Sequence, residues 1–535
     1  MERSRNNLPR VIPVLCLAGA AALGAALFHD WRMAAGAVAL VVAVLIALFP
    51  FAGLLCATAV LFVGTPSLKI VHAPGVVTQF FPAMLFIPLV CLGFLVRAAL
   101  DGGRRRPVRR ENLSVLLPFV AAVGTLHLLA LAWAPHTLFG LGQLATLASN
   151  VLFFCLIVGA VSDVGRLRAL CLSVVVSAVI VCATMVCAAQ YDWAGTLHLA
   201  SGVELNFELF SEARWGRIGG LCSANQAGGF LVFSTFIAMG LAVRCRRIPR
   251  VLFGLLSLTF LTFVVVSGSR GAILGFGGAA GAFMILHRPT REKLLSRSTL
   301  LVLALAVAIL VGKPSFIDRM LVGFGYDGPL IFSAKKKSES TSNVSGSGAR
   351  FRMWKKALSV MADRPELMLL GLGPGGFIWH TREPEVHSLW LAFFFDLGLL
   401  GGLTGLLGLA VLAGSTVTAL RRTPPGQARL LFTAVAVAAL AELGMHSAID
   451  HDLTSPVSRF AWLYVAVLAA ALRVARTAPG ADAPRPTMEV AHATSPTPPL
   501  AGRPVPAGRP GGPRALPGPA RAGNAPGPGP AACRP

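Results

Sequence analysis

The chain has 535 residues, 55% of them apolar and only 13% charged, with a mean hydropathy of +0.71. Soluble globular chains carry about 25% charge, so a water-soluble enzyme or binding domain is excluded. The formal net charge of +24 would suit nucleic acid, but the arginines sit in short clusters between apolar runs, a pattern of orientation charge and attraction to anionic lipid, with no nucleic-acid partner.

Apolar runs near 20 residues recur along the chain, long enough for a hydrocarbon core of about 30 Å. In chain order they predict spans at 11–28, 33–48, 52–64, 78–97, 113–134, 143–161, 169–189, 220–243, 251–267, 271–287, 299–312, 388–419, 430–446 and 460–474. The first follows basic residues and lacks a small-residue cleavage site, so it reads as a retained helix. Phe49-Pro50 breaks or bends the run 33–64, and "GLLGGLTG" predicts a kink or split in 388–419. The expected fold is all-α: a polytopic transmembrane helix bundle of about 12 to 14 spans, with a large extracytoplasmic loop carrying an amphipathic helix.

Threading the spans alternately puts 24 lysines and arginines on one side, the C-terminal tail set aside, and six in the short loops of the other, namely Arg32, Lys69, Arg214, Arg217, Arg270 and Arg459. The basic side is then cytoplasmic. This predicts a multi-pass protein of a bacterial inner membrane, or of any plasma membrane, with both termini in the cytoplasm. The two largest outer loops are 190–219 and 313–387. The second holds the polar "SAKKKSESTSNVSGSG" and then "ARFRMWKKALSVMADRPELMLLG". Apolar residues at helical spacing around Met353, Trp354, Leu358 and Met361 predict an amphipathic helix near the outer membrane surface, with Lys355 and Lys356 toward headgroups. "GLGPGGF" then predicts a tight turn. The last 59 residues hold 16 of the 36 prolines and predict a disordered cytoplasmic tail. Three regions follow: N-terminal spans 1–212, a catalytic region 213–476 that includes loop 313–387, and the tail 477–535. The ten cysteines form no CxxC or metal spacing and read as small apolar side chains.

This topology gathers polar residues on the outer face. Arg214, Arg217 and Asn225 lie around the start of one span, and Ser267, Ser269 and Arg270 in the turn between two others. Arg350 and Arg352 open the amphipathic helix, and His387 precedes the next span. Ionisable groups at membrane depth are costly and count as site candidates. Asp396 reads as a structural hydrogen-bond partner. Glu442, His446, Asp450, His451 and Asp452 form a second polar cluster, thin support for a metal site.

Arginine forks suit phosphate oxygens, and a neutral histidine suits a hydroxyl proton near pH 7. Together they describe displacement at an anomeric carbon: an acceptor hydroxyl attacks, His387 takes its proton, and a lipid diphosphate leaves into a cradle of Arg217 and Arg270. No paired carboxylates of glycosidase type stand out. A transporter or flippase for polysaccharide or lipid-linked glycan is the alternative. It would place charges along a path through the bundle, near broken helices at the midplane. A structural membrane scaffold gives no reason for the Arg, Asn and His set on one side.

The ordered pieces "RIGGLCSANQAGGFL", "VVVSGSRGAILG", "ARFRMWKKAL", "LGLGPGGF" and "VHSLWLAFFFDLGLLGGL" cover roughly 214–405. In that order they resemble the O-antigen ligase/polymerase family of bacterial integral membrane glycosyltransferases. The resemblance implies a donor glycan on undecaprenyl diphosphate and an acceptor glycolipid or glycan, in lipopolysaccharide or exopolysaccharide biosynthesis. It implies an inverting reaction at the periplasmic face without metal, nucleotide or other cofactor, and room for contact with other polysaccharide-assembly proteins. It carries His387 onto the catalytic position and Arg217, Arg270 and Arg350 onto diphosphate contacts, Arg350 matching an arginine four residues before the Trp. Asn225, Ser269 and Ser388 are the expected supports. The family's His-Asn pair is His387-Ser388 here, which puts the role of the second residue in question.

Overall fold

A computed structural model describes residues 50–61, 67–73, 76–80, 82–100, 117–191, 194–200, 203–208, 210–212, 217–244, 247–286, 346–382, 386–423, 427–447 and 459–477, with positions 42, 44–46, 48 and 49 before them. The expected spans at 11–28 and 299–312, most of 33–48, Arg214, the Asp450–Asp452 cluster and the Pro-rich tail lie outside the described residues. Contacts divide the chain into a unit Met1–Asp482 and a second unit Ala483–Pro535.

The described elements run α1 (Pro50–Val60), β1 (Ser67–Ala73), β2 (Val76–Phe80), α2 (Pro82–Leu100), α3 (Leu117–Ala130), α4 (Thr137–Ala160), α5 (Val164–Gln190) and β3 (Ala194–Ala200). There follow β4 (Val203–Glu208), β5 (Phe210–Glu212), β6 (Arg217–Gly220), α6 (Ala224–Arg244), α7 (Arg247–Ser267) and α8 (Arg270–Leu286). The last are α9 (Gly346–Ala362), α10 (Pro365–Leu370), α11 (Gly376–Thr381), α12 (Leu389–Arg422), α13 (Gln427–Ala441), a π turn (Glu442–His446) and α14 (Arg459–Thr477). Six of the described helices are long and apolar enough to cross a membrane, so the protein is a polytopic helix bundle. Burial separates its layers. The spanning window of α6 is 83% buried and that of α13 78%, against 22% for α7 and 33% for α12. The chain thus wraps α6, α13 and the inward-facing α14 in helices that keep an apolar face outward, as lipid contact requires.

The expected kink in 388–419 is present: Gly398 interrupts α12 with φ 64° and ψ −157°. The GLGPGG turn fills the break. The amides of Leu372 and Gly373 donate to the carbonyls of Phe395 and Asp396, at 2.7 and 3.1 Å, so the backbone groups freed by the break stay satisfied. Gly371 and Gly398 permit this approach, because a Cβ on either would collide with the other segment's backbone.

Strands were not foreseen in the linkers. β2-β1-β4-β3 form an antiparallel sheet and β5-β6 a ribbon. The predicted span 78–97 therefore begins at Pro82, its first residues belonging to β2. β1 pairs with β4 from Ser67↔Asn206 to Ile70↔Val203, so the linkers 67–80 and 194–208 share one face of the bundle. The same face carries the α3–α4 turn, where His136 stacks on Trp379 of α11 at 4.9 Å. At the other face Arg473 donates to the carbonyls of Val158 and Gly159. There Asp163 caps α5, its carboxylate accepting from the Arg166 amide at 3.0 Å, and that bond first of all holds its pKa below the usual value. Among the described residues these pairings set the helix ends on two faces in alternation.

Candidate functional site

Of the polar residues singled out in the sequence, Asn225, Ser269, Arg270 and His387 stand at helix starts on the face that carries the sheet. Ser267 closes α7, its hydroxyl donating to the Val264 carbonyl at 2.6 Å. Gly268 turns the chain at φ 63°. Ser269 then caps α8, accepting from the Ala272 amide at 3.3 Å, and Arg270 is the helix's first residue. α6 opens with a reciprocal capping box: the Ser223 hydroxyl accepts from the Gln226 amide and Gln226 Oε1 from the Ser223 amide, each at 3.4 Å. Asn225 lies inside that first turn, half-buried.

These two starts touch. A methyl at Gly228 would lie 2.7 Å from the Ser267 hydroxyl and 3.0 Å from Ser269 Cβ. Asn225, Ser269 and Arg270 therefore share one wall. Arg217 begins β6, paired with Glu212, and Gly220 at the end of that strand presses on Thr184 of α5. Arg350 lies in the first turns of α9. The side chains of Arg217 and Arg350 lie outside the described residues.

His387 stands on a second wall, at the start of α12. Its φ is 56°, a left-handed conformation uncommon for a residue with a Cβ. Both neighbours hold it there: the Val386 carbonyl accepts from the Trp354 indole at 2.8 Å, and Ser388 caps α12 by accepting from the Leu391 amide at 3.3 Å. Asn and Ser are comparable N-caps, so a serine after the histidine fills the structural post of the expected asparagine.

α9 is amphipathic, as the spacing predicts, and turns part of its apolar face onto the protein while Phe351 and Leu358 stay exposed. Met353, Ala357 and Met361 are buried. Lys356, expected to face headgroups, donates instead to the Thr381 carbonyl at 3.1 Å; Lys355 stays exposed. On α11, burial first and then the charges of Arg364 and Arg382 lower the His380 pKa below 6.5.

From Leu389, the residue after Ser388, an almost wholly apolar groove runs along α12. Leu389, Trp390 and Phe393 of α12 line one side, Ala461, Trp462 and Val465 of α14 another, with Leu443 of the π turn and Phe119 of α3. The π turn touches both walls: Leu443 faces the groove, while Glu442 and His446 face α6 and α8.

Two features escaped the reading of the sequence. Arg459 appeared there only as an orientation charge, yet it is 2% exposed and lies over the Phe460 ring, within electrostatic reach of Cys222. Glu442 and His446 appeared as part of a loose polar cluster, yet they form a fully buried pair at 2.9 Å. Among the described residues no three His, Cys, Asp or Glu side chains converge as metal ligands.

Residues 255–406 match the family model described as O-antigen ligase. The matched segment holds Ser269, Arg270, Arg350, His387 and Ser388. No curated protein matches the chain. The match supports an activity of O-antigen ligase or polymerase type, a glycosyltransferase-like ligation in lipopolysaccharide biosynthesis, carried by a multi-pass membrane protein that meets lipid-linked glycans.

Proposed function

We propose that the protein transfers a glycan from undecaprenyl diphosphate to a sugar hydroxyl of an acceptor glycolipid or glycan, at the periplasmic face of a bacterial inner membrane. His387 accepts the proton of the acceptor hydroxyl as its oxygen bonds to the anomeric carbon. The bond from that carbon to the diphosphate oxygen breaks, and its electron pair leaves with the phosphate. Attack opposite the leaving group inverts the centre, and no step requires a metal. Arg217, Arg270 and Arg350 receive the diphosphate. The start of α8 adds its amides and dipole to the Arg270 charge, and both favour an anion. Asn225, Ser269 and Ser388 keep these groups in place.

The observation that carries this reading is His387, held at φ 56° two residues before Leu389, the first α12 residue that lines the apolar groove. Strained non-glycine residues persist where the surroundings over-determine them, and they cluster at active sites. A groove with almost no polar lining suits an isoprenoid chain, whose diphosphate would then lie at its polar end. A transporter would use the interruption of α12 as a site. That interruption is closed by the Leu372 and Gly373 amides, which favours chemistry at the face.

The test is surface polysaccharide in a deletion strain carrying either the wild-type gene or His387→Ala. The substitution is expected to abolish transfer while the protein remains folded in the membrane. Lipid-linked polymer without lipid A attachment in the deletion strain identifies a ligase; single repeat units identify a polymerase. Unchanged polysaccharide in the deletion strain sinks the reading.

A further inference from the structure

The reaction just described makes no use of Glu442 and His446. Both are wholly buried, and they occupy a single turn of π-helix at the end of α13. Such turns are rare and often mark functional places. A buried ionisable pair is not a cheap way to stabilise a helix contact: apolar side chains of similar size do as well or better.

The surroundings of the pair say what it touches. Glu442 Oε2 lies 2.7 Å from the point a Cβ on Gly229 would occupy, and Oε1 lies 3.0 Å from the same point on Gly275. The carboxylate therefore sits in the crevice between α6 and α8. The His446 ring lies against Gly229 so closely that a methyl there would strike it. His446 Nδ1 and Glu442 Oε2 are 2.9 Å apart, a hydrogen bond between imidazole and carboxyl group. Glycine on both helices leaves room for the pair.

Gly229 lies one turn below Asn225 on α6, and Gly275 about 7.5 Å along α8 from Arg270. On α14, Arg459 and Tyr464 are each within electrostatic reach of Cys222, which precedes α6. Tyr464 is within electrostatic reach of Glu442.

We propose that Glu442 and His446 are positioning residues for glycan transfer: the pair fills the crevice between α6 and α8 and sets the spacing of the helix starts that carry Asn225 and Arg270. This rests on the function proposed above. The pair acts through Arg270 and touches no substrate.

The experiment uses purified full-length protein. The donor is undecaprenyl-diphosphate-linked glycan extracted from the deletion strain, and membranes of that strain supply the acceptor. Glu442→Gln keeps the shape and replaces the carboxyl group with an amide. It is expected to lower kcat at least tenfold, with the donor KM within threefold and a melting temperature close to wild type. Gly229→Ala, which presses on the pair from the opposite side, is expected to give the same split. In an Arg270→Lys background, Glu442→Gln is expected to add less than a twofold loss, because both changes disturb one unit. Wild-type kcat in Glu442→Gln, equal losses in the two backgrounds, or losses that only follow melting temperature each overturn the inference. A wild-type protein that transfers nothing overturns the proposed function, and the inference falls with it.

Discussion

Arg270 is the first residue of α8, where the helix dipole disfavours a cation. A guanidinium kept there suits an anion bound in front of it. Arg270→Lys retains the charge and loses the planar fork, so transfer is expected to fall about 100-fold, the scale for one lost transition-state donor, with membrane expression unchanged. Wild-type transfer in that variant contradicts two-pronged diphosphate binding. Ser388 gives a second residue-scale prediction. Ser388→Asn preserves the cap on α12 and is expected to retain transfer. Ser388→Ala is expected to cost about 1 kcal/mol of stability and to lower transfer by loosening His387; a thermal melt beside a transfer assay separates the two effects. The sequence could flag Arg270, Asn225 and His387 because polar groups at membrane depth stand out against an apolar background. It could not show the Glu442–His446 pair for what it is. The groups that give the pair its meaning are two glycines in helices far upstream, and a glycine that makes room for a distant side chain looks like any other glycine.

At the scale of elements, long spans were legible because some 20 consecutive apolar residues leave a chain no other stable place. β1 to β6 were not. Strands of three to seven residues repeat too briefly for a period of two to register beside spans, and their pairing partners lie in another linker. The junction between the GLGPGG turn and α12 yields a test. Gly398→Ala forces a Cβ against the Leu369 carbonyl at a left-handed φ of 64°, and is expected to lower the melting temperature by several degrees. Full thermal stability in that variant contradicts the close approach. α11 yields a pH test. Burial and two arginines depress the His380 pKa below 6.5, so the folded state favours the neutral ring. Its contribution is present above pH 6.5 and is lost as pH falls through the depressed value. The melting temperature of the solubilised protein is expected to drop more between pH 7 and 5 in wild type than in His380→Gln. Equal drops would remove His380 from the account.

For the whole molecule, the pairings sort the described helix ends into two faces, one bearing the sheet, Arg270 and His387, the other Asp163 and Arg473. Cysteines introduced at Arg382 and Arg422, in a background depleted of native cysteines, are therefore expected to react with an impermeant thiol reagent from opposite sides of the membrane. The excess of positive charge further predicts that Arg422 reacts from the cytoplasm. Labelling of both from one side contradicts the thread.

The sheet imposes an order on biogenesis. β1 and β2 leave the ribosome about 120 residues before β4, a wait of roughly 10 s at 5–20 residues per second. Throughout that interval β1 presents a bare backbone edge, a template for illegitimate pairing between neighbouring nascent chains. The hairpin is sealed only when Val203–Glu208 arrives between β1 and β3. With β4 in place the edge of β1 is paired on both sides, and only β2 and β3 remain at the borders of the sheet.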